Sequence, residues 1–316
     1  MIIYYLYYFV NVGEFLFTMD VGKCDLCPRK CGARRKDGQA GFCGIRGDRV
    51  ILARAALHFW EEPCISGTAG SGTVFFSGCN LRCVYCQNHN IADLTVGKEV
   101  STERLAEIFL ELQEKGAMNV NLVTPTPYAP MIRDAVRAAR TKGLHIPTVY
   151  NTSGYEDAAV LREMEDVIDI YLTDFKYMDG TLSASLSKAP DYPEVAKTAL
   201  AEMVRQKGEP EFDGNGMMKK GVIVRHLLLP GHVRNGKAVV DYVYDTYGDR
   251  VYLSLMNQYT PVIPNESYPE LNRRVTKREY EKLVDYALVK GVTRAFIQEG
   301  KTQSESFIPA FDYEGV

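Results

Sequence analysis

From residue 73 onward, the chain alternates short apolar runs with longer amphipathic stretches. The short runs are rich in aliphatic and aromatic residues and are bounded by polar or glycine-containing segments, a pattern that indicates buried β-strands. The predicted strands are residues 73–77, 120–124, 147–151, 169–174, 222–229, 251–256 and 294–298.

The amphipathic stretches between the strands have the three- and four-residue apolar spacing of helices. The predicted helices are residues 102–115, 131–141, 156–165, 195–207, 237–247 and 277–289. In the first helix Leu105, Ile108 and Leu112 share one face, and Ser101 precedes the helix as an N-terminal cap. Strands and helices alternate about six times, which predicts parallel strands joined by right-handed crossovers. We therefore expect an α/β fold, either a full or partial (β/α) barrel or an open doubly wound sheet.

We assign residues 73–316 to one barrel domain. Three segments precede this domain. Residues 20–50 are rich in Cys, Gly and Arg and poor in large apolar side chains. This segment cannot form a hydrophobic core of its own, so it needs a stabilising element such as a bound metal. Residues 51–72 indicate a connector with a glycine-rich end. Residues 1–19 are an apolar, tyrosine-rich extension, interpreted as an added β-strand or as the product of a start codon upstream of Met19.

Composition narrows the classes of partner. The chain has 37 Lys and Arg against 40 Asp and Glu, a formal net charge of −3, so no basic excess indicates a nucleic-acid surface. The apolar extension is too short for a membrane span, and Asn11 and Glu14 interrupt it. The chain has eight cysteines, none beyond Cys86, and tight cysteine clusters in a long chain indicate metal sites rather than disulfides. We expect a protein of the reducing cytoplasm without a membrane or nucleic-acid partner.

Three of the cysteines, Cys79, Cys83 and Cys86, directly follow the first predicted strand. Their C-x3-C-x2-C spacing lets one short loop place thiolates at three corners of a cubane iron–sulfur cluster. A closed structural site has four ligands, whereas three leave one iron open to a substrate or cofactor. The alternatives are a zinc site that borrows a fourth ligand such as His89, and a chance spacing. Because loops at the carboxyl ends of barrel strands carry the chemistry of barrel enzymes, we interpret the triad as catalytic.

The triad resembles that of the radical S-adenosylmethionine (SAM) superfamily, and further motifs extend the likeness from about Cys24 to about Gly300. These motifs are SGCNLRCVYCQN, NLVTPTPY, YNTSGYE, DIYLTDFKYMD, RHLLLPGH and SLMNQYTP. Together they resemble the pyruvate formate-lyase activating enzyme branch of the superfamily. The resemblance implies a radical SAM type of barrel and a 4Fe–4S cluster on the three cysteines. It also implies a bound SAM that is cleaved reductively to a 5′-deoxyadenosyl radical, which abstracts hydrogen from a substrate.

The same resemblance implies partners. A low-potential electron donor of the flavodoxin or ferredoxin type would reduce the cluster, and a glycyl radical protein would be the substrate. Radical modification of a small molecule, a peptide or RNA is the alternative enzyme activity. A non-catalytic iron–sulfur electron-transfer protein is disfavoured, because small ferredoxins need neither a barrel nor charged residues at its strand tips. A zinc-dependent binding module is disfavoured, because the sequence has no basic or aromatic surface signal.

Polar side chains at strand tips are candidate cofactor contacts. Tyr85, directly before the third cysteine, is placed to pack against the adenine of a bound cofactor. Where the family has a Gly-Gly-Glu-Pro-like turn, this chain has Thr-Pro-Thr-Pro, so the hydroxyls of Thr124 and Thr126 would replace the contact of a missing glutamate. Asn151 and Ser153 follow the third strand and would lie at the height of the ribose.

Three charged residues complete the candidate site. Asp174 and Lys176 match the Asp-x-Lys motif of the activating enzymes, and strand alternation directs both to one face. The resemblance implies a ribose or amino contact for Asp174 and carboxylate pairing for Lys176, while a plain interior ion pair is the alternative. Arg225 lies inside an apolar run, so its guanidinium needs an anion, either the cofactor carboxylate or Asp174. The neighbouring His226 points to the other face, which favours a structural role.

A second group of four cysteines has the spacing C-x2-C-x3-C-x11-C, which supplies enough thiols for a closed site. Its members are Cys24, Cys27, Cys31 and Cys43. It would hold an auxiliary iron–sulfur cluster or a zinc ion that ties the segment to the barrel, and unused thiols are the third alternative. The remaining cysteine, Cys64, is expected to be a packed core thiol. The adjacent pair Glu61 and Glu62 indicates a solvated turn rather than a wall of the substrate channel.

Overall fold

The computed structural model describes residues 22–262, 264–298 and 308–316. The predicted extension, residues 1–19, lies outside the described residues. Within these ranges the strands are β1 (Val50–His58), β2 (Ser71–Phe76), β3 (Lys98–Val100), β4 (Val120–Val123), β5 (Thr148–Thr152), β6 (Ile170–Asp174), β7 (Glu211–Phe212), β8 (Met218–Leu227), β9 (Tyr252–Met256) and β10 (Ala295–Ile297). The α-helices in the same ranges are α1 (Pro63–Ser66), α2 (His89–Ala92), α3 (Thr102–Glu114), α4 (Ala129–Thr141), α5 (Ala158–Glu163), α6 (Gly180–Ser187), α7 (Tyr192–Lys207), α8 (Val233–Tyr247) and α9 (Lys277–Lys290). None of these helices has both the length and the apolar character needed to cross a membrane.

The strands form one sheet whose order is β10-β9-β8-β6-β5-β4-β2-β1-β3, with β7 paired to β8 at the side. Neighbouring strands are parallel from β2 through to β10, whereas β1 is antiparallel to both β2 and β3. The predicted α/β class with parallel crossovers is confirmed. From β2 to β10 the parallel strands lie in the sheet in the same order as in the chain, whereas a doubly wound sheet reverses that order at one point. Among the described residues the sheet does not close on itself, so the full barrel is wrong and the partial barrel is the alternative that applies.

All seven predicted strands occur, as β2, β4, β5, β6, β8, β9 and β10. The difference lies in the predicted connector, because Val50–His58 forms a strand that pairs with β2 and β3. Its sequence, VILARAALH, lacks a clear alternation and has Arg54 at its centre. The guanidinium of Arg54 lies 2.6 Å from Asp312 and also pairs with Glu314. Both carboxylates belong to the C-terminal segment, which lies along β1, so this strand is completed by the far end of the chain.

Helix α3 illustrates how the helices between the parallel strands are capped and packed against the sheet. The side chain of Ser101 accepts a hydrogen bond from the Arg104 N–H (3.2 Å) and caps the helix, as predicted. The buried face with Leu105, Phe109 and Leu112 belongs to the main core, which it shares with β2 and β4. Because parallel strands end at the same edge of a sheet, the loops after β2, β4, β5, β6 and β8 meet at that edge. The predicted site residues lie on these strands and loops.

Candidate active site

The loop after β2 carries the cysteine triad and lies directly against the N-terminal segment. Gly78 has φ +87°, and a Cβ there would lie 2.5 Å from Ile45 Cδ1 and 3.0 Å from the carbonyl oxygen of Cys43. Only glycine suits this turn, because both the backbone conformation and the contact exclude a side chain. The amide of Asn80 donates to the Tyr155 carbonyl oxygen (2.7 Å) and anchors the loop.

The three thiols of the triad influence one another. Burial raises the pKa of Cys79, and the neighbouring Cys83 and Cys86 raise it further. Burial and Cys83 together raise the pKa of Cys86 to about 12. Cys79 and Cys86 can be thiolates only when a bound cation compensates their charge, and the backbone N–H groups of Leu81 and Asn88 already donate to these two sulfurs. The residues therefore fit a 4Fe–4S cluster with three cysteine ligands.

A cavity opens beside Cys83 and Cys86. Several of the predicted cofactor contacts line it, namely Tyr85, Asn151, Asp174, Lys176 and Arg225. Thr124, Thr126 and Ser153 are not among the residues that line it. The structure thus brings five of the eight candidates together with two of the three triad cysteines, Cys83 and Cys86.

Arg225, on β8, is the centre of a charged network in this cavity. Its Nε lies 3.0 Å from Asp174 Oδ1, and one terminal nitrogen lies 3.1 Å from Glu61 Oε2. The other terminal nitrogen donates to Asn151 Oδ1 (2.6 Å). Lys176 Nζ lies 2.5 Å from Asp174 Oδ2. The anion that the sequence analysis required for Arg225 is therefore supplied by two carboxylates.

Burial and pairing act in opposite directions on these charges. Burial alone would raise the pKa of Asp174, but Lys176 and Arg225 outweigh it and hold that pKa below its ordinary value. Burial alone would lower the pKa of Lys176 and of Arg225, but the nearby anions, Asp174 foremost, together outweigh it and raise both pKa values. All three groups therefore stay charged at neutral pH. The side chains of Arg225 and Asp174 remain 14% and 18% exposed, so a bound molecule can reach them.

Glu61 is a site residue that the sequence analysis missed. The expected solvated turn is wrong, because the Glu61 side chain is only 11% exposed and pairs with Arg225. Its carboxylate also accepts a hydrogen bond from Asn121 Nδ2 (3.0 Å). Glu62 is buried as well, and burial raises its pKa. A strand predicted at residues 50–58 would have placed Glu61 and Glu62 just after its end, next to the sheet.

The threonines of the Thr-Pro-Thr-Pro turn lie behind the cavity wall. The hydroxyl of Thr126 donates to Glu156 Oε1 (2.5 Å), and the hydroxyl of Thr152 donates to the same carboxylate. Burial raises the pKa of Glu156 to about 7. Thr124 has φ +62°, a left-handed conformation that costs a β-branched residue free energy. Ser153 contributes its carbonyl oxygen, which accepts a hydrogen bond from Tyr192 (2.7 Å).

Two residues expected to be structural are buried outside this cavity. His226 Nδ1 lies 2.8 Å from the Phe175 carbonyl oxygen, and burial lowers the pKa of the imidazole to about 4. Cys64 is buried in a small apolar cluster with Ile65 and Ile170. Both expectations are confirmed.

The four N-terminal cysteines form a second group of neighbouring thiols. A Cβ at Gly41 would lie 3.3 Å from Cys43 Sγ and 3.5 Å from Cys31 Sγ, so these two sulfurs flank the glycine. Burial raises the pKa of Cys27 to about 12, and the thiols of Cys43 and Cys24 contribute to the rise. The four thiols therefore lie near one another, and their binding of one metal stays a prediction.

Backbone N–H groups support two of these sulfurs in the way they do in the triad. The N–H of Arg29 donates to Cys27 and that of Ile45 donates to Cys43, each from two residues downstream. Across the described ranges, no three Cys, His, Asp or Glu side chains, those of the triad included, form a group that could hold a metal ion as they stand, so the fit of both groups to a metal rests on the chemistry of their thiol donors. The thiol donors are compatible with zinc and with an iron–sulfur cluster, so the choice between them stays open.

The second cysteine group is connected to the triad loop by arginine side chains. Arg29 Nε donates to the Asn80 carbonyl oxygen (2.8 Å), and its guanidinium lies 4.1 Å from the centre of the Phe42 ring. Arg82, inside the triad loop, donates to the Phe42 carbonyl oxygen (2.7 Å). The N-terminal segment therefore supports the loop that carries the triad.

Comparisons with known proteins agree with this site. Residues 73–208 match the radical SAM superfamily. An uncharacterized protein of Methanocaldococcus jannaschii is 28% identical over 274 residues, which cover 84% of this chain and 74% of that protein. The pyruvate formate-lyase 1-activating enzyme of Escherichia coli K12 is 29% identical over 138 residues, which cover 41% of this chain and 55% of the enzyme.

Among solved structures, the crystal structure of Streptococcus suis SuiB is similar, with a TM-score of 0.44 and 15% identity. The similarity covers 70% of this chain and 47% of that one. The radical SAM match includes the triad, the Asp-x-Lys motif and the strands from β2 to β6. Residues 73–208 of this chain are therefore similar to the radical SAM superfamily, and part of the chain is similar to pyruvate formate-lyase activating enzymes.

Proposed function

We propose that this chain cleaves SAM reductively and uses the resulting radical to abstract hydrogen from a substrate. The observation that carries the proposal is a shared cavity, in which Cys83 and Cys86 lie beside the paired charges of Asp174, Lys176 and Arg225. When bound, a 4Fe–4S cluster supplies the electron that breaks the sulfonium bond of SAM. The residues of the chain bind and orient the cofactor.

The charges around the cavity suit the amino-acid part of SAM, which is a zwitterion. Lys176 has one carboxylate partner, Asp174, whereas Arg225 is shared between Asp174 and Glu61. Lys176 is therefore the cation more available to the cofactor carboxylate, and Asp174 is the acceptor for the amino group. The ring of Tyr85, on the same cavity wall, is the surface on which adenine packs.

We propose a glycyl radical protein as the substrate and a flavodoxin- or ferredoxin-type protein as the electron donor. The similarity to the E. coli activating enzyme supports this choice of substrate, although it spans only 55% of that enzyme. We place the reaction in the reducing cytoplasm, because all eight cysteines are free thiols that an oxidising compartment would pair.

Release of 5′-deoxyadenosine tests the proposed chemistry. The protein is reconstituted anaerobically with iron and sulfide and is then given dithionite and SAM. We expect the wild type to release 5′-deoxyadenosine. Cys83→Ala should release no more of it than a reaction without enzyme. Cys64→Ala is the matched control, because Cys64 is buried outside both cysteine groups and its variant should keep the activity.

Continued release by Cys83→Ala, or zinc in place of iron at the triad, would contradict the proposed function. The substrate is tested separately by adding a candidate glycyl radical protein and recording its electron paramagnetic resonance doublet. A doublet supports the activating role. Release of 5′-deoxyadenosine without a doublet from any candidate favours a small molecule, a peptide or RNA as the substrate.

A further inference from the structure

Three hydroxyl groups form a hydrogen-bonded chain that ends on a sulfur of the triad. The hydroxyl oxygens of Tyr85 and Tyr177 are 2.6 Å apart. The Tyr177 oxygen lies 2.7 Å from Ser187 Oγ, which in turn lies 3.0 Å from Cys83 Sγ. Tyr177 and Ser187 are both fully buried, so water does not compete for the bond between them.

The sulfur at the end of the chain determines which group donates. A cysteine that binds a cluster carries no proton, so the Ser187 hydroxyl must donate to Cys83. The Ser187 oxygen then accepts from Tyr177, and the Tyr177 oxygen accepts from Tyr85. Hydrogen bonds in such a chain polarise one another, which strengthens the last bond to the sulfur.

The position of Ser187 is held by contacts from two other segments. Ser187 is the last residue of α6, and the N–H of Val84, next to Cys83, donates to the carbonyl oxygen of Leu186 (2.9 Å). Arg29 donates to the carbonyl oxygen of Ser187 (3.2 Å) and also to the triad loop. The end of α6 and the cysteine loop are therefore held at a set distance from each other.

We propose that Ser187, oriented by Tyr177 and Tyr85, tunes the electron affinity of the cluster that Cys83 would bind. The inference rests on the proposed function of the triad. Reduction adds negative charge to the ligand sulfurs, so a hydrogen bond donated to Cys83 stabilises the reduced state more than the oxidised state. The single electron comes from a low-potential donor such as dithionite. Each hydroxyl keeps its proton, and no covalent bond forms or breaks in these residues.

A redox titration of the reconstituted full-length protein without SAM, followed by electron paramagnetic resonance of the reduced cluster, tests this role. Ser187→Ala removes the donor with little loss of volume. At the wild-type midpoint potential we expect its ratio of reduced to oxidised cluster to fall about fivefold, the effect of one hydrogen bond. Tyr177→Phe leaves the Ser187 donor in place and removes only its polarisation, so its ratio should fall by a smaller factor.

Ser183→Ala is the matched control. Ser183 is fully buried on the same helix, and its hydroxyl donates to the Gly180 carbonyl oxygen (3.1 Å) instead of to a cysteine. An unchanged ratio in Ser187→Ala, or an equal fall in the control, would overturn the tuning role while the proposed function stands. A fall specific to Ser187→Ala in a protein that releases no 5′-deoxyadenosine would overturn the proposed function and support the tuning role. A triad without iron would overturn both.

Discussion

The two cysteine groups are alike in their backbone and different in their surroundings. In each group an N–H two residues downstream donates to a sulfur, as at Cys27 and at Cys79. The triad has three thiols beside a cavity that is lined by paired charges. The N-terminal group has four thiols, and Gly41 packs against two of them, Cys31 and Cys43. The cavity beside Cys24 has a mainly apolar surface.

This difference is the kind that would separate a site with room for a cofactor from a site that closes on a metal. The spacing of the cysteines indicates a metal in both groups. Beside the triad, Asp174, Lys176 and Arg225 hold charges of both signs in paired positions, so a zwitterionic ligand can bind there. We therefore expect the N-terminal group to hold its metal with protein ligands alone, and the triad to share its cluster with a cofactor.

The largest effect is expected at the charged network that distinguishes the triad. Arg225→Met leaves Asp174 and Glu61 without their shared guanidinium in a largely buried site. We expect the free energy of unfolding to fall by about 3 kcal/mol, as for removal of one partner of a buried ion pair, and SAM binding to weaken. Denaturant unfolding and equilibrium SAM binding, both under anaerobic conditions, measure the two effects.

Arg104→Met is the matched control for this change. Arg104 also pairs with a carboxylate, that of Glu111, but on the exposed surface of α3. Its loss should cost less than about 1 kcal/mol and should leave SAM binding intact. If Arg225→Met cost no more than the control, the network could not be the feature that separates the two cysteine groups.

The next effect is expected at Glu156, which lies between the two regions. It binds the hydroxyl of Thr126 behind the cavity, and its charge raises the pKa of Cys27. Burial raises the pKa of Glu156 from 4.5 to about 7 in the folded state, so between these values the folded protein binds more protons than the unfolded protein. The contribution of Glu156 to stability is therefore greatest below about pH 4.5 and is lost as the pH rises through about 7.

This loss amounts to about 3 kcal/mol at most. Glu156→Gln should abolish this part of the pH dependence, measured as the free energy of unfolding between pH 5 and pH 8. Glu107→Gln changes an exposed side chain on α3 and should keep the wild-type slope. An unchanged slope in Glu156→Gln would show that the carboxylate does not titrate as its burial requires.

The smallest effect is expected at Gly41 in the N-terminal group. Gly41→Ala places a methyl group 3.3 Å from Cys43 Sγ and 3.5 Å from Cys31 Sγ. We expect the affinity of this group for its metal to fall about tenfold, measured by competition with a chelator, while the iron content of the triad is unchanged. Gly214→Ala is the control, because a Cβ there meets nothing within 4 Å. Equal metal retention in both variants would mean that Gly41 does not border a metal site.

Most of the fold was predictable because its signal is local. Most of the seven parallel strands are short runs rich in apolar residues that are buried on both faces, and they stand out between amphipathic stretches. β1 was missed because Arg54 interrupts it, and the carboxylates that pair with Arg54 lie at the other end of the chain. Helix α6, with the sequence GTLSASLS, was missed because small polar residues replace the apolar stripe of a surface helix.

The candidate site was predictable to the extent that its residues stand out against their neighbours. Arg225 is a charge within an apolar strand, and Asp174 and Lys176 share a face by strand alternation. The hydroxyl groups of Thr124 and Thr126 were proposed from their place in a motif, and the structure puts neither on the cavity wall. No local pattern could have shown that Thr126 donates to Glu156, because that contact depends on the packing of two loops.

The sequence by itself determined which cysteines are the candidate cluster ligands, because the spacing of Cys79, Cys83 and Cys86 is a property of one short covalent loop. Only the tertiary structure decided what surrounds them. It brings Glu61, from outside the parallel strands, to Arg225, and it brings Ser187 to the sulfur of Cys83 across 104 residues of chain. Contacts of this kind follow from the burial and packing of distant segments, which the order of residues along the chain does not reveal locally.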